Sequence, residues 1–169
     1  MKRSIGFTKV KLPHGWMGNM SPYGIYYNGK QWRTAEALFQ SMRFNDEEIV
    51  EAIRLEKSPM GAKFKAKGNK DKMKIEPMSN TDLDNMRICV MLKFHEHKNL
   101  AKQLIDTEDS IIYEDVSSRK SRARSLYWGA YIDESGNLVG ENYLGIILME
   151  IRSVLKQMKD TSRIEKYKI

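Results

Sequence analysis

Residues 25–40, Ile25-Tyr26-Tyr27-Asn28-Gly29-Lys30-Gln31-Trp32-Arg33-Thr34-Ala35-Glu36-Ala37-Leu38-Phe39-Gln40, decide the fold class. Asn28-Gly29 accepts the positive φ angles of a tight two-residue turn, so Ile25–Tyr27 and Lys30–Trp32 read as the arms of a hairpin. Thr34 then caps a helix expected to run to about Phe44, with Ala35, Leu38, Phe39 and Met42 as its apolar face. Strands and helix in one short segment predict an α+β chain. Glu36 and Gln40 stand one turn apart on that helix. They are either a solvated pair of the common kind, or a carboxylate that faces a pocket and handles a proton there.

Outward from this segment, the pattern is mainly helical. Asn45 and Glu48 look like a capping box for a second helix with Ile49, Ala52 and Ile53 inside. Ser58-Pro59 starts a short lysine-rich helix ending at Gly68. Ser79 to Thr81 offer the next cap, before Leu83, Met86, Val90 and Phe94 at helical spacing. A short helix over Leu100–Ile105 precedes a strand at Ser110–Glu114. Residues 117–125, SSRKSRARS, read as a basic, small-residue loop. Asn142 is the expected cap of the last helix, whose buried stripe is Leu144, Ile147, Leu148, Ile151 and Leu155. The expectation is an α+β, mainly helical, single compact domain over residues 1–158, with a small N-terminal β-hairpin region and a charged, frayed tail at 159–169.

Composition bounds the function. The 169 residues suit one domain, and their net charge of +7 leans toward phosphates or nucleic acid. Cys89 is the sole cysteine, so no internal disulfide forms, and its helical setting makes it a small core residue. The N-terminus has no apolar core of signal-peptide length, and YLGIILMEI is too short to span a bilayer. A soluble, cytoplasmic protein with no membrane association is expected. No Gly-rich phosphate loop or zinc-type Cys pair is present, and His95 and His97, two apart on a helix, do not chelate together. No metal and no cofactor are therefore expected, and any chemistry would rest on carboxylate, lysine and aromatic groups.

Four segments combine conformationally special residues with reactive ones: Gly18-Asn19-Met20-Ser21-Pro22, Glu36 to Gln40, Pro59-Met60-Gly61-Ala62-Lys63, and Tyr127-Trp128-Gly129 with Gly140-Glu141-Asn142-Tyr143-Leu144-Gly145. In this order and spacing they resemble the NADAR family. GNMSPYGIYYNGKQWRTAEALFQSMRF resembles that family's opening loop, hairpin and Glu-bearing helix, and SPMGAKFKAKG its Pro-x-x-Ala-Lys segment. MRICVMLKF is similar to its Met…Lys-Phe helix, and YWG with ENYLGIILMEIRSVL to its Trp-Gly and Asn-x-Leu-Gly close. The resemblance spans roughly residues 14–156. One departure stands out: the family's acid before Trp-Gly is replaced by Arg124-Ser125-Leu126-Tyr127. Either Glu114 or Asp115 substitutes for it, or substrate is handled differently.

The resemblance implies an N-glycosidase acting on ribosides related to ADP-ribose. Breaking a ribose C1–N bond requires a proton or charge relief for the departing nitrogen and a negative group near the oxocarbenium-like sugar. Glu36 can meet either demand. Lys63 is implied in the site, either as a cation holding phosphate or as an amine attacking C1; Lys65 to Lys74 read as a solvated face. Trp128, held by Gly129, is a core aromatic or a stacking platform for a base. Asn142, with Gly145 in the next turn, caps the last helix and can also meet a substrate. Asn19 fixes its loop or binds ribose, and Gln40 orients Glu36 or lies on the surface. Arg119, Lys120, Arg122 and Arg124 are candidate nucleic-acid phosphate contacts.

Three functions follow. The first is removal of ADP-ribose from guanine bases in nucleic acid (DNA de-ADP-ribosylation), with cleavage of ribosylated pyrimidine intermediates of riboflavin synthesis as its enzymatic alternative. The second is a non-catalytic ADP-ribose or nucleotide-binding module. The third is a basic nucleic-acid-binding protein without pocket chemistry. The partner is ADP-ribosylated nucleic acid or a small riboside; oligomeric state has no signature in the sequence.

Overall fold

Thr34 does what its position predicts: its Oγ1 accepts the Ala37 N–H at 3.1 Å and opens helix α1, Ala35–Ser41. The computed structural model describes residues 3–165, with side chains described to residue 159. It is an α+β chain of seven α-helices and six short strands among the described residues, and it divides into two compact units, residues 8–96 and residues 3–7 with 97–165. Each is described by itself.

In the unit over residues 8–96, Ile25–Tyr27 (β2) pairs antiparallel with Lys30–Trp32 (β3). Asn28 and Gly29 sit at φ 49° and 75°, the left-handed pair that a tight hairpin turn needs. Helix α1 is shorter than expected, ending at Ser41. Around it stand Glu47–Arg54 (α2), Pro59–Gly68 (α3) and Asn80–Glu96 (α4), each packed against it. All seven α1 residues are buried. This overturns the solvated reading of Glu36 and Gln40, because a helix enclosed by three others has no wet face to give them. The cap of α2 is Asp46 rather than Asn45: Asp46 Oδ1 accepts from the N–H groups of Glu48 and Ile49 at 3.0 and 3.2 Å. Two cap-forming residues are adjacent there, and the one that places its oxygen over the first turn prevails. Ser58 caps α3 with Pro59 in its first turn, as expected.

In the other unit, Ser4–Phe7 (β1) pairs in parallel with Ile111–Glu114 (β4), Ser4 opposite Ile111 and Phe7 opposite Glu114. Lys98–Ile105 (α5) and Tyr143–Glu165 (α7) pack together, and α7 also covers β4. Phe7, Leu104, Ile112, Ile147 and Leu148 are fully buried there. Tyr131–Ile132 (β5) and Leu138–Val139 (β6) form a second antiparallel pair. The basic stretch is not an open loop: residues 117–119 make a 3-10 turn, and Ala123–Trp128 form helix α6. Helix α7 continues through Glu165, into the stretch expected as a charged tail; residues 166–169 lie outside the described residues. Among the described residues, no helix is long and apolar enough to cross a membrane.

Candidate functional site

The first cluster grows from α1. Glu36 is only 7% exposed, and its Oε1 accepts the Gln40 amide N–H at 2.8 Å. The Gln40 carbonyl in turn accepts from Arg43 Nη1 at 2.9 Å. Arg43 forks onto Asp82 in α4, Nε to Oδ1 at 2.7 Å and Nη2 to Oδ2 at 2.8 Å. Asp82 Oδ2 also accepts the Met78 N–H at 2.8 Å. This chain has one possible sense. A guanidinium only donates, so Gln40 must offer it the carbonyl and turn its amide toward Glu36. Glu36 Oε1 is thereby committed as an acceptor, while Oε2 makes no hydrogen bond among the described residues.

A loop closes on the start of α1. The Asn19 carbonyl accepts the Glu36 N–H at 3.1 Å. The Asn19 side chain is buried with its amide on the Met86 sulfur, and its Oδ1 has no hydrogen-bond partner. What fixes this loop is Lys93 of α4, the lysine of the Met…Lys-Phe segment, given no site role from sequence. Its buried ammonium donates to Trp16 O, Gly18 O and Ser21 Oγ at 2.5, 2.9 and 2.8 Å, and lies near the rings of Tyr23 and Phe94. Burial pulls its pKa down to about 7. A signal did exist, since Lys93 continues the Met86–Val90 spacing of the buried stripe. Arg43 and Asp82 were missed as well; 39 residues separate them, and no local pattern joins them. Cys89 is the inert core residue expected, its thiol pushed well up by burial and by the Glu36 and Asp82 charges.

Lys63 does not join this network. It is half-buried on α3, and no hydrogen bond or ion pair links it to Glu36 among the described residues.

The second cluster belongs to the other unit and is built from backbone. Gly145 lies so close to β4 that a Cβ there would sit 2.1 Å from the Ile112 carbonyl oxygen. A Cβ on Gly129 would come within 2.5 Å of the Glu114 oxygen, and one on Gly140 within 2.4 Å of the Gly129 oxygen. Asn142 takes a left-handed φ of 56°, which asparagine tolerates. The expected side-chain cap is corrected here. The Asn142 carbonyl starts α7 by accepting from Ile146 N–H at 2.9 Å. Its side-chain amide instead donates to Ile112 O at 2.9 Å, and its buried Oδ1 accepts nothing. Trp128 is half-buried, edge-on to Tyr127 at 4.9 Å between centroids, and Tyr127 lies 4.5 Å from Tyr143.

The expected phosphate contacts are partly engaged. Arg119 donates to Glu114 at 2.8 Å, Lys120 lies over the Tyr131 ring, Arg122 is exposed, and Arg124 lies on α6. Of the two carboxylates suggested to replace the missing acid, Glu114 is held by Arg119 and Asp115 Oδ1 accepts the Ser117 N–H at 2.9 Å. Among the described residues, no group of three or more His, Cys, Asp or Glu side chains could hold a metal ion.

The NADAR domain family matches residues 6–156. N-glycosidase YbiA of Escherichia coli (strain K12) is 31% identical over 153 residues, 89% of this chain and 88% of that protein. The NMR structure of the E. coli protein YbiA superposes with a TM-score of 0.76 at 29% identity, over 94% of this chain and 89% of that one. Riboflavin biosynthesis protein VVA0006 of Vibrio vulnificus (strain YJ016) is 26% identical over 157 residues, 93% of this chain and 40% of that larger protein.

Proposed function

The chain belongs to the NADAR domain family, and from that premise we propose that it removes ADP-ribose from guanine bases in nucleic acid, with Glu36 as its principal catalytic group. It is a hydrolase of N-glycosyl bonds, the activity for which its YbiA relatives are named. A cytoplasmic location goes with this reading. The observation that carries it is the buried chain Asp82–Arg43–Gln40–Glu36, which commits one carboxylate oxygen and leaves Oε2 without a partner among the described residues.

The reaction divides between these groups. As the ribose C1–N bond lengthens, positive charge grows on the sugar, and Glu36 supplies the facing negative group. A water oxygen bonds to C1 as the nitrogen departs with the electron pair. The water's proton passes to Glu36 Oε2, and the departing nitrogen takes up a proton from solvent. General acid–base help of this kind gives about 10²–10⁴-fold, so positioning must supply much of the rest. Gln40 holds Glu36 to one rotamer. Asn19 Oδ1 and Asn142 Oδ1, each within its own unit, are buried acceptors without donors, a condition that costs about 1–3 kcal/mol per group and that a ligand hydroxyl can relieve. Gly129 and Gly145 bring backbone close beside Asn142, and Trp128 offers a face for a base. Lys63, unlinked to Glu36, fits the phosphate-holding cation better than the attacking amine. Arg119, Lys120, Arg122 and Arg124 serve as further phosphate contacts.

The Vibrio relative, named a riboflavin biosynthesis protein, supports a second substrate class of small ribosylated pyrimidines. The deciding experiment incubates the purified protein with an ADP-ribosylated guanine oligonucleotide and, separately, with ribosylated pyrimidine intermediates, and follows sugar release by mass spectrometry. Release from the oligonucleotide supports the proposal. Release from the pyrimidines alone moves the substrate to the second class, and release from neither leaves only a binding module.

A further inference from the structure

The net charge of this chain is concentrated in one place. Residues 57–74 contain seven lysines and a single acid, Asp71, a net +6 out of the chain's +7. Six of those lysines are exposed, Lys57, Lys65, Lys67, Lys70, Lys72 and Lys74, and Lys63 is half-buried. Among the described residues only Lys65 has an ion-pair partner, Glu56 at 3.4 Å. The Arg119–Lys120 turn differs, with one cation held by a carboxylate and the next by an aromatic ring.

The large apolar residues of α3 are not its buried ones. Ala62 and Ala66, one turn apart, are fully buried and occupy the inner face. Met60, Lys63, Phe64 and Lys67 recur at i, i+3, i+4 and i+7, the spacing of a core stripe, yet Met60, Phe64 and Lys67 are exposed. Phe64 is 63% exposed. A phenylalanine ring left in water on a helix edged by unpaired lysines is useless to the core. It suits a ligand that has flat rings and negative charge in alternation.

We propose that the outer face of α3, continued through Lys70, Lys72 and Lys74, is a docking track for single-stranded nucleic acid, with Phe64 stacking on a base and the lysines neutralising successive phosphates. Sequence-tolerant binding of single strands combines these two elements, a cationic track and an aromatic platform. A duplex would hide its base faces from Phe64, whereas a strand whose modified base must already be exposed for catalysis presents them. The track rests on the nucleic-acid form of the proposed substrate and assigns its main electrostatic contact to α3, ahead of Arg119–Arg124.

The test measures the affinity of a fluorescent oligothymidine of about 15 nucleotides across a salt series. For a single strand the slope of log K on log salt changes by about 0.7 per phosphate neutralised. The triple variant Lys67→Gln/Lys70→Gln/Lys72→Gln is expected to lower that slope by about 2. Phe64→Ala is expected to weaken binding about tenfold at fixed salt without changing the slope. All these positions are exposed, so the variants should fold, and turnover of a mononucleoside-sized riboside should stay at the wild-type level in each. The track is overturned by an unchanged slope in the triple variant, by unchanged affinity in Phe64→Ala, or by equal displacement with polyglutamate, which would mark a surface for any polyanion, acidic proteins included. It is also overturned if Arg119→Gln/Arg122→Gln/Arg124→Gln alone removes binding. Failure of the wild-type protein to cleave any riboside would overturn the N-glycosidase reading and leave the oligothymidine result standing by itself.

Discussion

The α1 cluster and the Asn142 cluster reach rigidity by opposite means. Around Glu36, charged and amide side chains lock one another: Asp82 holds Arg43, Arg43 holds Gln40, and Gln40 holds Glu36. Around Asn142, side chains are removed so that backbone can close in, with Gly129, Gly140 and Gly145 each against a carbonyl oxygen. The difference teaches where function and stability separate. In the first cluster the terminal residue can change with little disturbance, because the others still satisfy one another. In the second nearly every atom added is a steric problem.

The sharpest challenge to that contrast is Arg43→Met. It strands Asp82 fully buried without its cation, and the expected loss is about 3–5 kcal/mol in urea unfolding. A loss below about 1 kcal/mol would show that the chain of contacts is not closed. Gly145→Ala comes next. Its Cβ would press on the Ile112 carbonyl oxygen and on both Asn142 side-chain ends, and overpacking of this kind costs about 1–3 kcal/mol. A neutral result would mean that α7 slides freely along β4.

A third effect, spread gradually over pH, concerns Lys93 and has a defined sign. Burial pulls its folded pKa down to about 7, whereas an unfolded lysine keeps its proton to about 10.4. Between these values the unfolded chain binds more protons, so unfolding free energy rises with pH, by up to about 1.4 kcal/mol per pH unit. Below about 7 the contribution is flat. Turnover should move the other way over the same range, because the neutral amine donates fewer hydrogens to Trp16, Gly18 and Ser21 and the loop carrying Asn19 loosens. Urea unfolding of wild type and Lys93→Met across this window checks the slope, which the variant should lose.

Much of the fold was legible because it is locally encoded. The Asn28-Gly29 turn, the Thr34 cap, the Pro59 helix start and the α7 stripe each need only a few neighbouring residues. The enclosure of α1 was not legible, since its apolar stripe predicts one buried face and three packed helices create the rest. Parallel pairing of Ser4–Phe7 with Ile111–Glu114 depends on contacts about a hundred residues apart. Glu36 and Gln40 were singled out by their spacing on α1 and, with Asn19, by resemblance to a family pattern; in the structure the Asn19 carbonyl accepts the Glu36 N–H and the Gln40 amide donates to Glu36 Oε1. Lys93, quoted only within the Met…Lys-Phe segment, was given no role because a lysine on a helix ordinarily lies at the surface, and Asp82 was given none because an acid in a first turn ordinarily serves the helix dipole. The Asn142 cap failed for a related reason: a helix-start asparagine ordinarily turns its oxygen to the helix, whereas here the amide is drawn to the Ile112 carbonyl.

The most direct measurement compares wild type with Glu36→Gln on an ADP-ribosylated guanine oligonucleotide, following turnover and ligand affinity in parallel. Glutamine keeps the shape of the side chain and removes its charge. The expected result is a loss of turnover of about 10²–10⁴-fold with affinity nearly unchanged. Turnover that survives at the wild-type rate in a folded Glu36→Gln protein would contradict the catalytic role of this carboxylate.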